Sequence, residues 1–165
     1  MMTLKNILVA TDFSEPSEAA LAYARQLAHA FGGTLHVLHV VGNVVNAAIG
    51  LDGYTTDFGV LQSEVEQAAG KQLEATITEE DRRTLGAKTV LQTSNAPAHA
   101  IVTYARDANI DLIVLGTHGR GGMAHMLLGS VAERVVRTAP CPVLTVRQLV
   151  REPSPQESPR VTAHA

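Results

Sequence analysis

The sequence predicts an α/β fold, a parallel sheet held between layers of helices. Two observations carry that expectation. Short apolar, β-branched runs recur at Asn6-Ile-Leu-Val-Ala10, Thr34-Leu-His-Val-Leu-His-Val-Val41, Ala87–Leu91, Asp111-Leu-Ile-Val-Leu115 and Val143–Val146. Runs with little polar alternation suit strands buried on both faces. Between them lie segments with apolar residues at helical spacing. Strand therefore alternates with helix, which implies right-handed crossovers and a parallel sheet.

The elements follow in order. After the first strand, Ser14 can cap a helix, with Pro16 in its first turn, where a missing N–H does no harm. Ala20, Ala24, Leu27 and Phe31 give that helix a core face, and Gly32-Gly33 ends it. The second strand leads into residues 42–59, read as a long loop of functional or mobile character. Leu61, Val65, Ala68, Leu73 and Ile77 mark a second helix, punctuated by Gly86. Asn95 and Pro97 open a third, with Ile101, Tyr104, Ala105 and Ala108 inward. A last helix carries Val131, Val135 and Val136, and Pro140-Cys141-Pro142 breaks it before the fifth strand.

Composition bounds the function. The 165 residues suit one domain, residues 1–147, with a Pro-rich tail at 148–165 expected to be disordered. Apolar residues make up 45% and charged residues 18%, with a formal charge of −3. No basic face invites nucleic acid. No run is long enough to span a membrane, and the first residues lack the pattern of a signal peptide. The single cysteine, Cys141, allows no internal disulfide. The expectation is a cytoplasmic protein.

The chemistry concentrates in residues 116–130, GTHGRGGMAHMLLGS, with five glycines directly after the fourth strand. A glycine-rich turn that opens a helix presents backbone N–H groups, and the helix start adds partial positive charge. Together they suit a phosphate chain, with Arg120 as a fork of donors and the Ser130 hydroxyl beside it. The other reading is a surface loop whose glycines merely turn. A Walker A loop is excluded, because no Lys occurs after Lys88. Gly119-Arg-Gly121-Gly-Met-Ala124 fits G-x-G-x-x-A, but it follows the fourth strand, and residues 140–150 hold no acidic partner. A dinucleotide site is therefore not expected.

A different spacing fits. Gly116-x2-Gly119-x9-Gly129-Ser130 resembles the G-x2-G-x9-G-(S/T) signature of the universal stress protein family, in its nucleotide-binding branch. Ile7-Leu-Val-Ala-Thr-Asp-Phe-Ser14, Asp111 to Arg120, Leu128 to Val135 and Ala139 to Val146 resemble further family segments in the right order. The resemblance covers about residues 3–147. It implies a Rossmann-like sandwich, a five-stranded parallel sheet of order 3-2-1-4-5 with helices on both faces. It also implies ATP at the strand carboxyl ends. Asp12 would meet the adenosine end beside Ala10 and Thr11, and Val41 would offer backbone groups to adenine. Leu115, Gly116, Gly119, Arg120, Gly129, Ser130 and Val131 would surround ribose and phosphates, with Mg2+ or Mn2+ bridging the phosphates. Family members commonly dimerise, which implies a homodimer through the edge strand Val143–Val146.

The residues leave alternatives open. Asp12 equally suits a turn-forming or capping role, Ser130 an N-cap, and Arg120 a solvated charge. His36 and His39 point to opposite faces of a strand, poor geometry for one metal ion. His118 and His125 read as polar loop residues, and Cys141 as structural. No base or water-positioning residue stands out, so fast turnover is not expected. The leading reading is an ATP-dependent switch or sensor in the stress response, whose loops a protein partner would read. Its rivals are a slow ATPase or autophosphorylating enzyme, and an interaction module that binds AMP or no nucleotide.

Overall fold

The computed structural model describes residues 3–44, 57–117 and 128–147. Gly119, Arg120, His118, His125, most of the long loop and the Pro-rich tail lie outside these residues. The elements are β1 (Asn6–Ala10), α1 (Glu15–Phe31), β2 (Thr34–Val41), α2 (Phe58–Glu74), α3 (Glu79–Leu85), β3 (Lys88–Thr93), α4 (Pro97–Asp107), β4 (Leu112–Gly116), α5 (Ser130–Thr138) and β5 (Val143–Val146). The strands form one parallel sheet of order β3-β2-β1-β4-β5. Strand order reverses between β1 and β4, the switch point where ligands of such sheets bind beyond the carboxyl ends.

The absence of polar alternation in the strands has its counterpart in two cores, one on each sheet face. Ile7, Val9, Leu35, Val37 and Val114 pack with α1, Leu73, Ile77 and Leu85. Leu8, Leu38, Ile113 and Leu115 pack with Ile101, Val102, Ala105 and Val135 on the other face. Each fully buried aliphatic side chain contributes about 1.5–3 kcal/mol. Central β1 and β4 are closed to water on both faces, so they fix the sheet around which the site is built.

Helix α1 buries Ser17, Ala20, Leu21, Ala24 and Ala28. The small side chains among them, Ser17, Ala20, Ala24 and Ala28, bring the helix axis close to the sheet. Phe31, expected on the core face, is 51% exposed: it is the final helical residue, and the chain turns at Gly32 in the left-handed region, φ 64°. At the other end of α1 the approach is tighter still. A Cβ on Gly116 would lie 2.8 Å from the carbonyl carbon and oxygen of Pro16. The first glycine of the motif is thus required by a helix, whatever else it touches.

The second helical stretch differs from expectation. It is two helices, not one running through Ile77. Thr78 starts α3 with a capping box: its hydroxyl accepts from Asp81 N–H at 3.0 Å, and the Asp81 carboxylate accepts from Thr78 N–H at 2.8 Å. Arg25 of α1 donates to both Asp81 oxygens at 3.1 Å and to the Thr76 carbonyl at 2.6 Å. Burial disfavours the Asp81 charge, but the bonds from Arg25 and Thr78 outweigh it and hold its pKa below the ordinary carboxylate value. Leu61 and Ala68 are exposed and Val65 is half-buried, so only the end of α2 is anchored deeply, at Leu73.

One buried titratable group sits in the sheet itself. His36 is 3% exposed and shares a hydrogen bond of 2.8 Å between Nδ1 and the Tyr104 hydroxyl. Its Nε2 has no partner among the described residues. Burial, aided by the neighbouring Lys88 charge, lowers its pKa from 6.5 to about 4.

Two outcomes follow for stability. Gly116→Ala forces α1 off the sheet and lowers stability by about 1–3 kcal/mol in urea denaturation, while Gly70→Ala within α2, where a Cβ would meet only the Leu91 side chain at 3.9 Å, serves as a mild control. Between pH 6.5 and about 4 the unfolded His36 takes up a proton that the folded one refuses. Stability is therefore full above pH 6.5 and falls as pH drops through this window, by up to about 3 kcal/mol. His36→Phe flattens that slope, measured as denaturation midpoint against pH.

Candidate functional site

The carboxyl ends of β1, β2 and β4 and the start of α5 share one edge of the fold. At β1, Thr11 is buried and its N–H still pairs with the sheet, donating to the Leu38 carbonyl at 2.9 Å. The chain then turns. Phe13 N–H donates to the Thr11 hydroxyl at 3.0 Å, and that hydroxyl shares a 3.0 Å bond with the Ser17 hydroxyl. Asp12 Oδ1 accepts from Ser14 N–H at 3.2 Å and from the Ser14 hydroxyl at 2.5 Å. Asp12 therefore adopts the Asx turn that the sequence left open, and its carboxylate lies half-buried at the strand end. Ser14 is the N-cap residue of α1, but its hydroxyl turns back to Asp12 and makes no capping bond.

At β2 the register decides which backbone groups are free to meet a ligand. The Val41 carbonyl accepts from Ser94 N–H at 2.8 Å, so Val41 faces β3. Main-chain groups alternate sides along a parallel strand. Val40 therefore faces the side of β1, beyond the last matched pair, Ala10 with Leu38. Val40, which sequence reasoning passed over, turns its backbone toward the crevice, whereas Val41 is engaged by the sheet and buried. Past the strand, Asn95 accepts from Asn43 N–H at 2.7 Å and Gln62 from Val44 N–H at 2.8 Å. These bonds fasten the start of the long loop.

At β4, Leu115 is buried, Gly116 lies beneath Pro16, and Thr117 is buried behind them. Thr117 N–H donates to the Val146 carbonyl at 2.9 Å, and the Thr117 carbonyl accepts from Gly129 N–H at 2.7 Å. The two ends of the glycine-rich segment thus meet. Gly129 is the N-cap residue of α5, with φ −69° and no side-chain cap. Ser130, for which the sequence left an N-cap role open, is instead the first helical residue and is exposed. Val131 is half-buried against the α4 side of the core. The first N–H groups of a helix have no intrahelical partner, and the N-cap residue, a glycine, has no side chain to cap them. They carry the partial positive charge of the helix start.

The structure brings Ala10, Thr11, Asp12, Leu115 and Gly116 to the ends of adjacent strands, and Gly129, Ser130 and Val131 to the helix that follows β4. Gly119 and Arg120 lie outside the described residues. Among the described residues no cluster of three or more His, Cys, Asp or Glu could hold a metal ion. Cys141 packs against the core, where burial and the Asp111 charge push its thiol pKa up, away from a nucleophile.

Known proteins share this architecture. The profile of the Universal stress protein family matches residues 3–147. The universal stress protein MJ0531 of Methanocaldococcus jannaschii is 35% identical over 90% of this chain and 85% of its own. Universal stress protein UspA from Lactobacillus plantarum superposes with a TM-score of 0.72 at 28% identity, over 89% of this chain and all of its own. A universal stress protein solved in complex with cAMP superposes with a TM-score of 0.56 at 25% identity, over 88% of this chain and 98% of its own. With residues 3–147 matched by the family profile and the fold shared over most of its length, the chain belongs to the universal stress protein family.

Proposed function

We propose that this chain binds an adenine nucleotide, ATP with Mg2+ or Mn2+, at the carboxyl edge between β1 and β4. There it would work as a nucleotide-dependent switch in a cytoplasmic stress response. The observation that carries this reading is the uncapped start of α5, placed beside the β1–β4 switch point and preceded by the glycine motif. The family member in complex with cAMP supports an adenine ligand.

Charge orients the nucleotide. Asp12 repels phosphate, so the adenosine end belongs near β1, with Ala10 and Thr11 beside it and the Val40 backbone, rather than that of Val41, facing adenine. The phosphates belong at the α5 start, among Gly116, Gly129, Ser130 and Val131, with Leu115 behind and Gly119 and Arg120 completing the cradle. The metal ion would travel with the phosphates, held chiefly by their oxygens.

The proposed role is binding rather than fast turnover. The described residues of the phosphate end, Gly116, Thr117, Gly129, Ser130 and Val131, carry amides and hydroxyls but neither carboxylate nor imidazole. Such groups stabilise charge without activating a water. A protein partner would read the surface around the bound nucleotide. The outer edge of β5, with Leu144 at 36% exposure, is the surface proposed for a two-fold dimer.

Purified protein is expected to show a dominant 260 nm peak, since it has no Trp and three Tyr, and chromatography of the acid extract identifies the nucleotide. Gly119→Val and Gly129→Val abolish the peak while circular dichroism stays native; retention of nucleotide by both overturns the site. Leu144→Glu shifts the sedimentation coefficient from dimer to monomer, and a wild-type monomer removes the β5 interface.

A further inference from the structure

Phe13 adopts φ 64°, a left-handed conformation that residues with a side chain enter only when their surroundings impose it. His39 reaches this turn from β2. Its Nδ1 lies 2.7 Å from the Thr11 carbonyl oxygen. A carbonyl only accepts, so Nδ1 carries the proton. The face of the same imidazole packs on Phe13, with ring centroids 4.3 Å apart at an interplanar angle of 38°. One side chain therefore holds both neighbours of Asp12, Thr11 through its carbonyl and Phe13 through its ring. No part of the reading above uses this histidine.

We propose that His39 is the positioning residue of the nucleotide site: it grips Thr11 and Phe13 so that Asp12, between them, keeps one place at the end of β1. The proposal rests on the adenine-nucleotide reading. Imidazole meets both demands at once, an in-plane donor for the carbonyl and a flat face for the phenyl ring. The bond to the carbonyl selects the tautomer that carries its proton on Nδ1. Without the grip, Phe13 is free to leave its left-handed conformation, Asp12 samples several placements, and a ligand must order the turn as it binds. The Thr11 hydroxyl and the Ser14 contacts hold the turn from within the same segment. The Thr11 N–H bond to Leu38 joins its start to the neighbouring strand, and His39 is the side chain of that strand that reaches both Thr11 and Phe13.

The test is calorimetric titration of the full chain with Mg-ATP, as wild type, His39→Phe, His39→Asn and His39→Ala. Phe keeps an aromatic face without a donor. Asn places an amide N–H near the position of Nδ1 without a ring. His39→Phe is expected to weaken binding about tenfold, the scale of one lost hydrogen bond with its ordering, and His39→Asn to recover most of that loss. If His39→Phe does not fold, the comparison is Asn against Ala, with Asn again the tighter. In the ligand-free wild type, long-range 15N spectra are expected to show His39 protonated at Nδ1. Wild-type affinity in His39→Phe, an Asn variant no tighter than Ala, or a ring protonated only at Nε2 overturns the proposal while nucleotide binding stands. A wild type that does not bind Mg-ATP overturns the nucleotide reading itself, and this proposal with it.

Discussion

The close seat of α1 against the end of β4 organises the rest of the molecule. Pro16 lies where a Cβ on residue 116 would have to be, so a side chain there and this helix position exclude one another. The seat depends on the small residues Ser17, Ala20, Ala24 and Ala28 along the same helix. It places the turn after β1 directly beside the end of β4, at the point where strand order reverses. The crevice therefore results from packing as much as from ligand chemistry, and Gly116 serves the fold before it serves a nucleotide.

A second constraint is the satisfaction of buried polar groups at that edge. Strands that end inside a protein leave N–H and C=O groups that water cannot reach, and each needs a partner. Thr11 illustrates the solution. Its N–H, carbonyl and hydroxyl are bonded, to Leu38, His39 and Ser17 respectively. The turn is thus rigid where the sheet ends, while the first amides of α5 are left without a side-chain cap. Fixed groups beside uncapped ones are what preorganised recognition requires.

Much of this was legible in the sequence because burial on two faces leaves a plain signature. β1, β2 and β5 fall on the runs that predicted them, and Gly32 ends α1 as expected. What escaped depends on information that periodicity does not hold. The break between α2 and α3 rests on Thr78 and Asp81, a local cap hidden inside an apolar pattern that continued to Ile77. Phe31 has the right phase for the core but sits at the end of its helix. That the Val41 backbone faces β3 and the Val40 backbone the side of β1 required the hydrogen-bond register. Ser130 looked like a cap because capping propensity favours Ser, whereas the chain places Gly129 there with an ordinary φ. The role of His39 follows from a partner 28 residues away in sequence, beyond the reach of any local pattern.

The bond between the Thr117 carbonyl and Gly129 N–H bears on how such a domain diversifies. It joins the two stems of an excursion, so β4 and α5 are registered to each other independently of the intervening chain. Closing a longer excursion adds only about 0.6 kcal/mol per doubling of its length. A change of chain length between the two stems is thus inexpensive for the scaffold. A lineage could exchange ligand preference at this one cassette and inherit the sheet intact.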